Sequence, residues 1–146
     1  MKLISNFLLL FILSIPADHN LEGWELLSDV EVVRVYDDFL EQEVEKPEFS
    51  EVLKGRDKSE IELQGFVIPL NDVGSSDYFV LSRFPYQSCF FCGNAGPETV
   101  VEVYTNKSLS LKDQRVKVKG TLHLNVNDPL HLYYIMKDCT VELLDE

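Results

Sequence analysis

Alternation of apolar and polar residues is the feature that most limits how this chain can fold. Over residues 115–126 almost every second residue is apolar or glycine, and the same pattern covers residues 59–69. A period of two is typical of a strand that buries one face. Three further stretches rich in strand-forming residues are 78–84, 98–105 and 131–144. The chain is therefore predicted to be mainly β.

Five consecutive strands with short connections must bury their apolar faces with little help from helices. The clearest helical pattern, residues 47–54, is short: it opens with Pro47 and stops before Gly55. Such a sheet curls on itself or packs as a sandwich. Gly65 and Gly120 interrupt two strand patterns, as in the bends and close backbone approaches of small barrels. We expect a small five-stranded OB-like barrel with one short N-terminal helix, the alternative being a small β-sandwich.

The first 17 residues have the pattern of a secretory signal peptide. Lys2 precedes an almost wholly apolar stretch, residues 3–15, and cleavage is expected after Ala17. A permanent membrane helix needs ~20 apolar residues, and this stretch is shorter. An uncleaved anchor is the alternative. We expect a single domain, residues 18–146, that is periplasmic or secreted and has no stable membrane insertion after cleavage.

The acidic composition narrows the classes of partner and activity. The chain has 25 acidic residues against 13 lysines and arginines, a net charge of −12. A surface with this excess repels phosphate backbones, so nucleic acid is not expected as a partner. The sequence contains no nucleophile elbow, no zinc-protease helix motif and no phosphate loop. No enzymatic activity is therefore predicted.

Cys89 and Cys92 form a C-x-x-C pair in a loop with glycine and proline, and Gly93 follows directly. Two thiolates at this spacing can reach one Zn²⁺, which needs two more ligands for a tetrahedral site. Cys139 and His131 are the candidates, but one straight strand would hold them about 26 Å apart. One of the two, rather than both, is expected to join the pair. The first functional hypothesis is an exported zinc-binding accessory protein.

The same cysteines support a second hypothesis without a metal. In an oxidising compartment Cys89 and Cys92 could close a disulfide, leaving Cys139 as a small buried hydrophobe. The aromatic residues of this loop are Tyr86, Phe90 and Phe91. The two adjacent phenylalanines cannot both point inward in an extended chain, so one is a candidate contact. The alternative function is thus a non-enzymatic interaction module for a protein partner in an exported or envelope system.

Redox exchange is the third use of a thiol pair. A catalytic C-x-x-C sits at the start of a helix, which lowers the pKa of its first thiol. Here the pair is followed by Gly-Asn-Ala-Gly-Pro and then by a predicted strand. Redox catalysis is therefore disfavoured.

Four segments in succession resemble a known family. They are Trp24 with Leu27, residues 65–70, the cysteine loop with residues 98–103, and residues 116–122. This order resembles the bacterial exported family catalogued as domain of unknown function 3299, over residues 24–142. The resemblance implies a small periplasmic or secreted protein with no established reaction, from a family associated with metal-related export or uptake. In one branch of that family the loop has a single cysteine before a proline-rich stretch, so the loop here departs from it.

Overall fold

The computed structural model describes residues 21–38, 40–68, 76–110, 112 and 114–144. The predicted signal peptide, residues 1–17, lies outside the described residues. The helices and strands of the described part are, in chain order, α1 (Gly23–Leu27), β1 (Val30–Asp37), β2 (Gln42–Phe49), α2 (Glu51–Lys54), β3 (Glu60–Ile68), β4 (Ser76–Ser82), β5 (Val100–Leu109), β6 (Arg115–Leu124) and β7 (Tyr134–Leu143). Single 3-10 turns between β4 and β5 are Tyr86–Ser88, Phe90–Cys92 and Pro97–Thr99.

Five strands close into a barrel in the order β3-β4-β5-β7-β6. All neighbours are antiparallel except β5 and β7, which run parallel. If the five barrel strands are numbered in chain order, their spatial order is first, second, third, fifth, fourth. This is the arrangement of an OB-like barrel. The predicted mainly β, five-stranded OB-like barrel is therefore confirmed, and the sandwich alternative is wrong.

The period-two pattern of the sequence separates the inside of the barrel from its outside. On β6, Val116, Val118 and Leu122 are fully buried. Lys117 and Lys119 alternate with them and form ion pairs at the surface. Because successive side chains of a strand point to opposite faces, this alternation is what made the strand recognisable.

The helix predicted over residues 47–54 is wrong in its first half. Pro47 lies in β2, and the helix begins only at Glu51. The Ser50 hydroxyl accepts a hydrogen bond of 3.1 Å from the backbone N–H of Leu53, which is a typical helix N-cap. Proline fits the end of β2 because that strand lies at a sheet edge, where a missing N–H costs little. A second short helix, α1, precedes β1.

β1 and β2 pair as an antiparallel hairpin outside the barrel. In the sequence, the valine-rich residues 30–35 approach the alternation of a strand, and β1 begins there. The acidic composition of residues 37–46 is instead typical of an exposed connection, yet β2 begins within this stretch. In β2 only Pro47 and Phe49, near its end, are buried, so no regular apolar alternation marks this strand in the sequence.

The Tyr134 hydroxyl joins α1 to the barrel. It is fully buried and donates a hydrogen bond of 2.6 Å to the carbonyl of Leu27. Replacing Tyr134 with phenylalanine is expected to lower the free energy of unfolding by about 1–2 kcal/mol, because the buried carbonyl loses its donor. Chemical denaturation measures the loss, with Tyr133→Phe as the control at a partly buried neighbour. Equal stability of Tyr134→Phe and wild type would contradict this role.

Candidate functional site

The cysteine loop, residues 83–99, lies against the outer face of the barrel. Its anchor is Cys89, which is fully buried outside the main core. We call the surrounding group the outer cluster; it consists of Ile68, Val80, Cys89 and Val100, with Phe90 and Leu132 packed against it. Val80 alternates along β4 with Phe79 and Leu81, which belong to the main core. The outer cluster therefore fixes the loop to the outer face of the barrel, on the other side of the sheet from the main core.

A single 3-10 turn, Phe90–Cys92, connects the two cysteines. The backbone N–H of Cys92 donates a hydrogen bond of 3.1 Å to the carbonyl of Cys89. Gly93 ends the turn at φ 74°, in the left-handed region that favours glycine. The structure shows all three cysteines of the chain as thiols.

The Cys92 thiol is exposed and donates a hydrogen bond of 3.2 Å to the carbonyl of Tyr86. Partial desolvation, reinforced by a hydrogen bond with the Cys89 side chain, raises the pKa of Cys92 above its usual value. The same 3-10 turn holds both cysteines. A thiol with a raised pKa carries little thiolate at neutral pH, and thiolate is the nucleophile in disulfide exchange.

The aromatic residues of the loop divide into anchors and exposed groups. Phe90 packs on the outer cluster, whereas Tyr86 is 54% exposed and Phe91 is 50% exposed. The rings of Phe90 and Phe91 meet edge to face, with their centroids 5.5 Å apart. As expected for adjacent residues, one phenylalanine is directed inward and the other outward. The loop presents an exposed aromatic surface with an apolar anchor behind it.

The other two predicted metal ligands lie in different environments. Cys139 is on β7 in the main core, where burial raises its pKa to about 12. His131 lies in the connection between β6 and β7, with its Nδ1 atom 2.9 Å from a carboxylate oxygen of Glu102. Within the described residues, no group of three or more His, Cys, Asp or Glu side chains is placed to hold a metal ion. The structure therefore does not gather the four predicted ligands.

Glu102 is a buried carboxylate that the sequence analysis missed. It lies on β5 and is only 2% exposed. One oxygen accepts a hydrogen bond of 2.6 Å from the backbone N–H of Leu132, and the other accepts one of 2.9 Å from the Tyr104 hydroxyl. The bond from Leu132 and the contact with His131 fix the β6–β7 connection to the outer face of β5. Glu102 occupies an outward position of its strand, so its own sequence context gives no sign of burial.

The groups around Glu102 border an open cavity of about 630 Å³. Burial and the Glu102 carboxylate raise the pKa of Tyr104 to about 12. The Tyr78 ring lies beside that of Tyr104, with the centroids 4.8 Å apart. On the cavity wall, the side-chain NH₂ group of Asn125 donates hydrogen bonds to backbone carbonyls of the connection. These polar groups mainly hold the connection in place.

The contact between His131 and Glu102 predicts a pH dependence of stability. The hydrogen bond and the charge of Glu102 hold the pKa of His131 above its usual value. Because its pKa is higher in the folded than in the unfolded protein, His131 contributes its full stabilisation of the fold at pH values below its unfolded pKa of ~6.5. This stabilisation is lost as the pH rises through the pKa of His131 in the folded protein. The unfolding midpoint of wild type should therefore fall relative to that of His131→Gln as the pH rises above ~6.5. A constant difference between the two proteins would contradict the contact.

No family model matches the chain, and no curated protein matches it. The resemblance to domain of unknown function 3299 therefore stays a prediction. None of the described helices is long and apolar enough to cross a membrane.

Proposed function

We propose that this chain is an exported, non-enzymatic binding protein that contacts a protein partner through its cysteine loop. The supporting observation is the construction of the loop, in which Cys89 and Phe90 are packed on the barrel while Tyr86 and Phe91 are about half exposed. Tyrosine and phenylalanine are enriched in protein interfaces. An anchor behind an exposed aromatic surface holds that surface ready for contact, which lowers the entropy cost of binding.

The cysteines in this proposal make the loop rigid. In an oxidising compartment, Cys89 and Cys92 would lose two protons and two electrons to the oxidant of that compartment and form a disulfide. One 3-10 turn already holds both cysteines, and the backbone N–H of Cys92 donates a hydrogen bond to the carbonyl of Cys89. A bridge across so few residues stabilises the whole fold little, since the gain grows with the length of the closed loop. Its effect would be to hold the aromatic surface in one conformation.

A zinc-binding accessory function is the second proposal, and the placement of Cys89 and Cys92 on one 3-10 turn favours it. Cys89 and Cys92 would supply two of the four ligands of a tetrahedral site. Cys139 and His131 lie in different environments, so the described residues fit zinc only in part. The remaining ligands would then come from solvent or from the partner protein. This proposal keeps the same loop as the working part of the molecule.

One experiment separates the two proposals. The protein is purified from the periplasm without added metal or reductant, and its metal content and free thiols are measured. The interaction module predicts no bound metal, a Cys89–Cys92 bridge and one free thiol, on Cys139. The metal proposal predicts about one equivalent of zinc with Cys89 and Cys92 reduced. Three free thiols with no metal would contradict both.

Phe91→Ala tests the aromatic surface directly. The substitution is expected to abolish crosslinking to the partner, since large aromatic groups carry much of the energy of an interface. The stability of the fold should change by less than about 0.5 kcal/mol, as is usual for an exposed position. A photo-crosslinker placed at Tyr86 reports the contact in cells, and Val52→Ala, at an equally exposed apolar residue of α2, is the control. Unchanged crosslinking in Phe91→Ala would reject this surface.

A further inference from the structure

The β1–β2 hairpin exposes an open strand edge. Within the described residues these two strands pair only with each other. A two-stranded sheet is marginally stable, and three or more strands are usual. Apolar side chains of β1 are also exposed: Val32 at 40%, Val35 at 36% and Tyr36 at 64%. The hairpin thus has the properties of a sheet that lacks a strand.

The register shows which backbone groups of β1 face this edge. The N–H of Ser50 donates a hydrogen bond of 3.2 Å to the carbonyl of Asp29, at the base of a hairpin with constant register. Hydrogen-bonded and non-hydrogen-bonded pairs alternate in antiparallel sheets. Every second residue of β1, beginning with Val30, therefore turns its N–H and carbonyl away from β2. These residues are Val30, Val32, Arg34 and Tyr36.

The two edges of the hairpin differ. Val32 lies opposite Pro47, so Pro47 is at a position of β2 whose N–H would face outward. Proline supplies no N–H there, and prolines and charges on edge strands discourage further pairing. β2 also carries a lysine and three glutamates, whereas β1 has neither proline nor lysine. The edge of β2 therefore disfavours pairing with a further strand, whereas the edge of β1 can accept one.

The charge of the hairpin indicates what fits this edge. Residues 30–49 contain seven acidic and two basic residues, a net charge of −5. We propose that β1 accepts, as an added strand, an extended segment of a partner protein in which basic and apolar residues alternate. Backbone hydrogen bonds would provide the pairing, and the basic side chains would complement the acidic hairpin. A second copy of this chain would bring two hairpins of the same negative charge together, which disfavours self-pairing.

The probe is a synthetic ten-residue peptide of alternating lysine and valine, added to the ¹⁵N-labelled protein. We expect the amides of Val32 and Arg34 to become protected from hydrogen exchange, while those of Val33 and Val35 are already protected by β2. Val32→Pro removes one outward N–H and should weaken binding by about tenfold. Val32→Thr keeps the N–H and the β-branched shape, and should bind like wild type. Protection of the Val33 amide shows whether each variant keeps its hairpin.

Other results would overturn this proposal. The peptide could bind without protecting the amides of Val32 and Arg34, or Val32→Pro could leave binding unchanged while the hairpin persists. Either result would mean that the peptide binds by charge attraction alone. A glutamate–valine peptide that binds equally well would exclude the charge argument. Protection without peptide that increases with protein concentration would place a second copy at the edge, and protection independent of concentration would place another segment of this chain there. The hairpin shares no residue with the cysteine loop, so the result does not depend on the proposed function.

Discussion

Gly120→Ala is expected to lower the free energy of unfolding by about 3 kcal/mol, the upper part of the usual range for overpacking a core. A Cβ atom at this position of β6 would lie 2.5 Å from the sulfur of Cys139 and 2.8 Å from the carbonyl oxygen of Lys137. Real Cβ contacts are not this short, so β7 would have to move. β7 pairs with both β6 and β5, and its movement would disturb the closure of the barrel.

The backbone of β7 explains why glycine is needed opposite it. The pairing of β6 with β7 shifts between Lys119 and Thr121, where β7 contains one extra residue. Asp138 lies in this bulge with φ 54°, a left-handed conformation that is uncommon for residues other than glycine. The bulge brings the backbone of β7 close to Gly120. Bulges of this kind bend strands where barrels close.

A double-mutant cycle identifies the source of the clash. Cys139→Ala removes the sulfur, so Gly120→Ala should cost about 1 kcal/mol less in that background than in wild type. The rest of the loss should persist because the carbonyl of Lys137 remains. Gly55→Ala is the control, since its added Cβ would make only contacts of 3.4 Å; it should change stability by less than about 0.5 kcal/mol. Additive effects of Gly120→Ala and Cys139→Ala would show that the sulfur does not oppose the new methyl group.

The barrel was predictable from sequence because its causes are local. Alternation along β3 and β6 follows from burying one face of each strand. Gly65 and Gly120 were expected to mark close backbone approach, and the structure shows this at both: a Cβ at Gly65 would overlap the carbonyl of Ser82. Strand alternation and the glycines that interrupt it involve residues only one or two positions apart in the chain. Such signals can be read from a single sequence.

The candidate site was less predictable because its parts are brought together over long sequence distances. The C-x-x-C pattern identified the loop, but the packing of Cys89 under Leu132 depends on a connection about 40 residues later. The burial of Glu102 depends on the same connection. β2 was missed for another reason, since most of its residues are polar and only Pro47 and Phe49 are buried, which leaves no regular apolar alternation. Periodicity reveals contacts within an element, and these features depend on contacts between elements.

Glu102→Ala is expected to destabilise the protein by about 3 kcal/mol. Hydrogen bonds to charged groups contribute ~1.5–3 kcal/mol each, and a buried donor left without an acceptor adds a penalty of ~1–3 kcal/mol. The N–H of Leu132 loses its acceptor outright. His131 and Tyr104 border the open cavity and can turn to solvent, so their losses should be smaller. Chemical denaturation gives the total, and Glu60→Ala, which removes an exposed ion pair with Lys119, is the control.

The location of faster amide exchange distinguishes a role of Glu102 in fixing the β6–β7 connection from a general loss of stability. If Glu102 fixes the β6–β7 connection, the amides of Leu132 and its neighbours should exchange faster in Glu102→Ala, while those of Val118 in the barrel core should change only as much as global stability does. The raised pKa of His131 should also return toward its usual value, because its hydrogen bond and its largest charge partner are both removed.

Glu102→Gln separates the charge of Glu102 from its shape. The amide group keeps the size of the carboxylate, but it has one acceptor oxygen where the native group has two. If that oxygen faces Leu132, its NH₂ group faces the Tyr104 hydroxyl and His131, which can rotate or change tautomer. We therefore expect about half the destabilisation of Glu102→Ala and a connection that stays protected from exchange. If Glu102→Gln releases the connection as fully as Glu102→Ala does, the charge of the buried carboxylate, rather than its acceptor for Leu132, is what fixes the connection.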